Sequence, residues 1–177
     1  MRVALTPLLW PLVRFRVSPN AVSLGQIPMA IVAAVLIGPL PRVALVLFAL
    51  TLVMDGVDGA LARRTGKESA FGSLIDQVSD HTREIIMIAG LAFAGAVNGG
   101  LATLYALSHP LSNFMLYLGS TRGVRAPVTI KTWMSFYPFL ILYLWIGIDY
   151  LDVSVAVSAC LMFLISGWQL WALRKRL

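Results

Sequence analysis

The sequence predicts an all-α integral membrane protein, six transmembrane helices preceded by a short interfacial amphipathic helix. Three observations carry that prediction. Of the 177 residues, 59% are hydrophobic and only 12% are charged, about half the roughly 25% charge content of an average soluble domain. The apolar residues fall into six runs close to the ~20 residues that a bilayer-crossing helix needs. The fourteen Lys and Arg against eight Asp and Glu, a net charge of +6, sort themselves by loop. So few charges cannot cover a water-soluble globule of this size, which argues against a soluble enzyme. Without an evident linker or internal repeat, residues 1–177 read as a single membrane domain.

The elements can be justified in order. Residues 6–17 suit an interfacial helix, with Trp10 and Phe15 as apolar anchors and Arg14 and Arg16 at the headgroups. The apolar start is broken by Pro7 and Pro11 and offers no small-residue cleavage site, so no removed signal peptide is expected. Ser18-Pro19-Asn20 supplies capping chemistry just before a first span over about 20–39. Gly38-Pro39-Leu40-Pro41 separates it from a second, 43–63, and Arg64 to Lys67 separates that from a third, 72–97. Asn98-Gly99-Gly100 precedes the fourth, 100–120, in which His109-Pro110 predicts a kink. Thr121 to Pro127 leads to the fifth, 130–149, and Asp149 to Asp152 to the sixth, 153–173. Cys160, the single cysteine, excludes an intramolecular disulfide and a multi-cysteine metal site, and reads as apolar packing.

With the N-terminus inside, the bases alternate as the positive-inside rule requires. Arg2, Arg14 and Arg16, then Arg63, Arg64 and Lys67, then Arg122, Arg125 and Lys131, then Arg174, Lys175 and Arg176 all lie inside, twelve of the fourteen. Both termini are therefore expected in the cytoplasm. The pI of about 10.0 is a topology signal, and no nucleic-acid partner is needed to explain it.

The acids are distributed differently. Asp149 and Asp152 share an outer loop, while Asp55, Asp58, Glu68, Asp76, Asp80 and Glu84 fall within thirty consecutive residues. Four of these, the aspartates, sit inside predicted spans, where each ionised carboxylate costs at least ~2.5 kcal/mol on insertion scales. They need cations. Asp55 and Asp58 are i,i+3 and Asp76 and Asp80 are i,i+4, so each pair shares a helix face. A turn near residues 64–69 makes the two helices antiparallel neighbours, and four carboxylates converge. Oxygen-only donors suit Mg²⁺, Mn²⁺ or Ca²⁺, not zinc. Gly56, Gly59, Ala62 and Gly72 flank the acids with almost no side-chain volume, which serves either close helix packing or room for a phosphate. Arg63 fits either a ligand phosphate or lipid headgroups.

The run Asp55-x2-Asp58-Gly59-x2-Ala62-Arg63-x8-Gly72-x3-Asp76-x3-Asp80 resembles the signature of the CDP-alcohol phosphotransferase family at all eight positions. Ser18-Pro19-Asn20 also resembles the Thr-Pro-Asn that precedes the first span in relatives. The resemblance implies a six-helix membrane enzyme of phospholipid biosynthesis with a cytoplasmic-side site. Asp55, Asp58, Asp76 and Asp80 would hold one or two Mg²⁺ or Mn²⁺ ions, and Asp80 would be the general base. Asp58, Gly59, Ala62, Arg63 and Gly72 would bind a CDP-linked lipid. A phosphatidyl or archaetidyl group would pass to the hydroxyl of a small polar alcohol, releasing CMP.

For the acceptor, Arg122, Arg125 and Lys131 form a candidate phosphate-binding group, although three bases in an inner loop also satisfy the topology rule unaided. A phosphorylated polyol is favoured, in the order glycerol 3-phosphate, inositol phosphate, then serine or another amino-alcohol. Lys131-Thr132 faintly resembles the end of a Gly-Lys-x-Lys-Thr stretch in glycerophosphate-using relatives, with Val128 and Thr129 in place of the Gly-Lys. Arg83 and Glu84 are expected to orient the site or pair locally, and His81 to point away from it. Two other classes compete: an intramembrane Mg²⁺-dependent prenyltransferase, whose aspartate clusters usually lie farther apart in sequence, and a cation-coupled transporter, which the short chain without two similar halves disfavours. Membrane lipids are partners in any case, and the sequence is compatible with a monomer or a homodimer.

Overall fold

The structure, a computed structural model, describes residues 6–124, 126, 128–129 and 132–175. Among them all regular secondary structure is helical: α1 (Thr6–Arg14), α2 (Pro19–Leu36), α3 (Pro41–Thr65), α4 (Ala70–Phe93), α5 (Gly99–Thr121), α6 (Thr132–Ser135), α7 (Tyr137–Ile141), a π-helical turn (Leu142–Ile146) and α8 (Leu151–Arg174). Of these, α2, α3 and α8 are long and apolar enough to cross a membrane. α4 is as long as α8 but carries Asp76, Asp80, Arg83 and Glu84. The stretch expected as a fifth continuous span is interrupted at Phe136. Pro138 in the first turn of α7 has no N–H to extend the ladder of α6, and Gly147, left-handed at φ 86°, ends the π-turn.

The chain divides into two compact units, Met1–Met87 and Ile88–Leu177. In the first, α2 and α3 run antiparallel, since Ser23 near the start of α2 meets Asp58 near the end of α3. Leu9 of α1 joins Val22, Val57 and Leu61 in a buried cluster with Leu12, Val17 and Met54 around it. The chain turns from α1 to α2 at Arg16, which takes a left-handed φ of 52°. Ser18 occupies the N-cap position of α2, yet its side chain makes no capping bond. Pro19 at the first helical position removes one orphan donor and fixes φ, so the expected side-chain cap is replaced by a proline start. The α3–α4 turn is built by Gly66, left-handed at φ 64°, whose N–H reaches Ala62 O together with that of Lys67 at 3.0 Å. Ser69 Oγ then accepts from Gly72 N at 3.0 Å and caps α4.

In the second unit α5 and α8 pack side by side and run parallel. Asn98 N donates to Asp152 Oδ1 at 2.8 Å at one end; Ser108 Oγ lies 3.8 Å from Met162 Sδ midway; Gly119 abuts Gln169 at the other end. Asn98 also caps α5, accepting from Gly100 N and Leu101 N. Both helices carry buried polar residues, Ser108, His109 and Ser112 on α5 and Ser154, Ser158, Ser166 and Gln169 on α8. His109 stacks on Tyr105 with ring centroids 5.9 Å apart. Cys160, expected among packed residues, is exposed on α8.

Candidate active site

The aspartate site lies wholly in the first unit. Helical spacing turns Asp55 and Asp58 from α3 toward Asp76 and Asp80 on α4, and the tight Gly66 turn makes the two helices neighbours. Asp55, Asp76 and Asp80, all half-buried, each offer one carboxylate oxygen, and these oxygens lie within 4.8 Å of one another. Three like charges at that spacing repel unless a cation or a proton joins them. A set made only of oxygens, with no imidazole or thiolate, fits Mg²⁺ or Mn²⁺, so the donor chemistry passes the test for the metal that the sequence implies.

Asp58 stands outside that triad. It is buried, and its Oδ2 accepts from Ser23 Oγ at 2.6 Å and from Gln26 Nε2 at 3.4 Å. Its Oδ1 accepts from Gly59 N. Removing a carboxylate from water without partners is prohibitive, and hydrogen bonds to a charged group are worth about 1.5–3 kcal/mol each. The α2 donors thus permit this acid to be buried.

Beside the acids opens a cavity of about 250 Å³, lined by Pro19, Asn20, Ser23, Asp58, Gly59, Ala62, Arg63, Lys67, Glu68, Ser69, Gly72, Ser73 and Asp76. All five residues assigned to the CDP-linked lipid, Asp58, Gly59, Ala62, Arg63 and Gly72, are on its wall. The small residues have direct geometric reasons. A Cβ on Gly72 would lie 3.1 Å from Ser69 Oγ and 3.3 Å from Asn20 Oδ1, tight on the cavity side. Arg63 folds back along α3, so that a Cβ on Gly59 would meet its Nη1 at 3.4 Å.

Arg83 on α4 is buried, with Nη1 3.0 Å from Asp80 Oδ1; the same nitrogen donates to Gln26 Oε1. Its expected role in orienting or pairing within the site matches this contact. Glu84 is buried as well, and His81 is half-buried. Arg122 is exposed at the C-cap of α5, while Arg125 and Lys131 lie outside the described residues. The sequence reading missed Ser23 and Gln26. The available signal was their i,i+3 spacing in an otherwise apolar helix, which places two polar side chains on one face.

The model of the family described as CDP-alcohol phosphatidyltransferase matches residues 16–173. An archaetidylinositol phosphate synthase of Aeropyrum pernix is 38% identical over 73 residues, 37% of this chain and 38% of that protein. One from Pyrococcus horikoshii is 38% identical over 52 residues, 29% of this chain and 28% of that protein. The aligned segments thus span well under half the length of these curated relatives. Among solved structures, a phosphatidylinositol phosphate synthase of Mycobacterium tuberculosis with CDP-DAG bound superposes with a TM-score of 0.76 at 16% identity, covering 94% of this chain and 92% of that one. The same protein in complex with manganese and citrate gives 0.70 at 17% identity, covering 93% and 86%. These structures share the fold. The family match takes in the whole aspartate run and nearly the whole chain around it, and on that ground this chain belongs to the CDP-alcohol phosphatidyltransferase family.

Proposed function

We propose that the protein transfers a phosphatidyl or archaetidyl group from a CDP-linked lipid to the hydroxyl of a phosphorylated polyol, inositol phosphate before glycerol 3-phosphate, with release of CMP. The observation that carries this reading is the gathering of the whole signature at one place, with Asp55, Asp76 and Asp80 clustered beside a cavity walled by Asp58, Gly59, Ala62, Arg63 and Gly72. Inositol phosphate moves ahead of glycerol 3-phosphate because both curated relatives are archaetidylinositol phosphate synthases and the similar solved structures are of a phosphatidylinositol phosphate synthase.

In this reading Asp55, Asp76 and Asp80 hold one or two Mg²⁺ or Mn²⁺ ions, with Asp58 as the fourth carboxylate of the set. When bound, the cation offsets the charge of the CDP diphosphate and polarises the phosphorus under attack. Arg63 meets phosphate at the cavity rim, and Gly59, Ala62 and Gly72 let the nucleotide approach the backbone. Asp80 takes the proton of the acceptor hydroxyl as its oxygen bonds to the lipid-linked phosphorus. The bond from that phosphorus to the CMP oxygen breaks, and the new phosphodiester stays on the lipid. Arg122, Arg125 and Lys131 hold the acceptor phosphate.

The same reading takes the helices as six membrane crossings behind an interfacial α1, with both termini and the site in the cytoplasm. The antiparallel α2–α3 pair and the parallel α5–α8 pair support it, because alternating crossings make the first and second opposite and the fourth and sixth alike. The test is an acceptor panel. Purified protein with Mg²⁺ and a CDP-linked lipid, in diacyl or ether form, is offered inositol phosphate, glycerol 3-phosphate or serine, with a chelator-treated blank. CMP release with inositol phosphate is expected. Silence with every acceptor from a folded, metal-binding protein would overturn the reading.

A further inference from the structure

The acids on α3 and α4 are joined through a residue of α2. Along α4, Asp76, Asp80 and Arg83 follow at i, i+4 and i+7, on one helix face. Arg83 is almost wholly buried, and its Nη1 lies 3.0 Å from Asp80 Oδ1. Arg83 Nη1 also donates to Gln26 Oε1, and the Gln26 side chain is fully buried. The other end of that amide, Nε2, donates to Asp58 Oδ2, the atom that Ser23 Oγ holds at 2.6 Å. A primary amide has one accepting and one donating end. Gln26 turns the accepting end to a guanidinium and the donating end to a carboxylate, so its two neighbours fix its orientation. The result is one connected line, Asp80–Arg83–Gln26–Asp58–Ser23, that crosses three helices and ties an acid of the triad to the acid outside it.

We propose that Arg83, clamped by Gln26, is a positioning residue that holds the Asp80 carboxylate in the orientation it takes beside Asp55 and Asp76. This rests on the reading of those three acids as the metal and base site. A carboxylate turns freely about its last side-chain bond, and the cluster demands one orientation of it. Both contacts are made by one terminal nitrogen, Nη1, held at the end of a rigid planar guanidinium, whereas a lysine ammonium sits on a shorter, flexible stem and cannot take up the same place in that plane. Gln26, itself immobilised between Arg83 and Asp58, keeps the guanidinium from swinging. In this proposal Arg83 acts through Asp80.

The experiment is a double-mutant cycle with Arg83→Lys and Gln26→Met in the full-length protein. Both substitutions preserve net charge, and methionine keeps the length and approximate volume of glutamine. Changes therefore report geometry and not Coulombic loss. Two quantities are read: the dissociation constant for Mn²⁺, by electron paramagnetic resonance on protein without lipid, and kcat for CMP release. Loss of an outer partner of a metal ligand typically lowers metal affinity or activity about 10–100-fold. Each single variant is expected to weaken Mn²⁺ binding and lower kcat by at least about 10-fold on that basis, with the KM for the CDP-linked lipid within about 2-fold. The double variant should be no worse than the poorer single one, since both changes break one line. Wild-type Mn²⁺ affinity in Arg83→Lys, or multiplicative losses in the double variant, would overturn the proposal. If Gln26→Met melts below the assay temperature, Arg83→Lys alone decides by the same two readings. A wild-type protein that binds Mn²⁺ but releases no CMP would refute the assigned reaction and leave the Mn²⁺ cycle to judge the positioning role separately.

Discussion

Replacing Gly119 with alanine adds one methyl group where the parallel helices α5 and α8 meet. Its Cβ would lie 2.6 Å from Gln169 Oε1 and 2.8 Å from the backbone oxygen of Val124, well inside normal contact. Gln169 is fully buried, and the Val124 carbonyl moves only with its backbone. Overpacking of this kind costs about 1–3 kcal/mol, while alanine gains at most about 1 kcal/mol over glycine in a helix. Gly119 lies in the last turn of α5; with about half of that gain realised there, a net destabilisation of about 0.5–2.5 kcal/mol follows, a fall in Tm of roughly 1–10 °C for a chain of this size. Gly167 on α8 is the matched control. It is exposed, nothing lies within 4 Å of its would-be Cβ, and only the propensity gain remains. Gly167→Ala should therefore raise Tm by about 2–4 °C. Both variants and the wild type would be melted in one detergent by intrinsic fluorescence. A Gly119→Ala protein as stable as the wild type would refute the close α5–α8 approach, and a destabilised Gly167→Ala would refute the propensity argument.

Two further predictions concern the reaction. Asp80→Asn keeps the shape of the side chain but removes the base, so kcat should fall by about 10²–10⁴ while equilibrium binding of the CDP-linked lipid stays within a few-fold; full turnover would disprove the assignment. Arg122→Ala should raise the KM for inositol phosphate about 3–10-fold through loss of a charge-assisted phosphate contact and leave the KM for the lipid donor unchanged. An unaltered acceptor KM would put the phosphate pocket elsewhere.

The sequence was most legible where periodicity and chemistry coincide. Five of the six apolar runs each correspond to one long helix, and the breaks at Gly66 and Asn98 are where the chain caps and turns, because those residues act through their own backbone or a side chain only two or three positions away. Asp55, Asp76 and Asp80 were found by spacing alone, since i,i+3 and i,i+4 pairs on adjacent helices can converge without help from elsewhere. Asp58 shows where that logic stops. Its spacing from Asp55 is as good as any, yet its carboxylate is engaged by Ser23 and Gln26 of α2, and nothing local to Asp58 announces a partner more than thirty residues away. The broken fifth run has a similar cause. Hydropathy over residues 130–149 averages through Pro138 and Gly147, whereas the backbone responds to each singly. The exposure of Cys160 was equally hidden, because a bilayer-facing residue and a core residue look alike in an apolar sequence.

The parallel course of α5 and α8 constrains how the chain is assembled. A helical hairpin closes as soon as its second arm is made, but parallel helices cannot form one. During synthesis α5 is complete thirty residues before α8 begins at Leu151, so the partner of Asn98 N on α8 does not yet exist. A nascent chain stopped anywhere before Asp152 lacks both the carboxylate that receives Asn98 N and the helix that packs against α5. Within the second unit the α5–α8 pairing can therefore form only after α8 has been made.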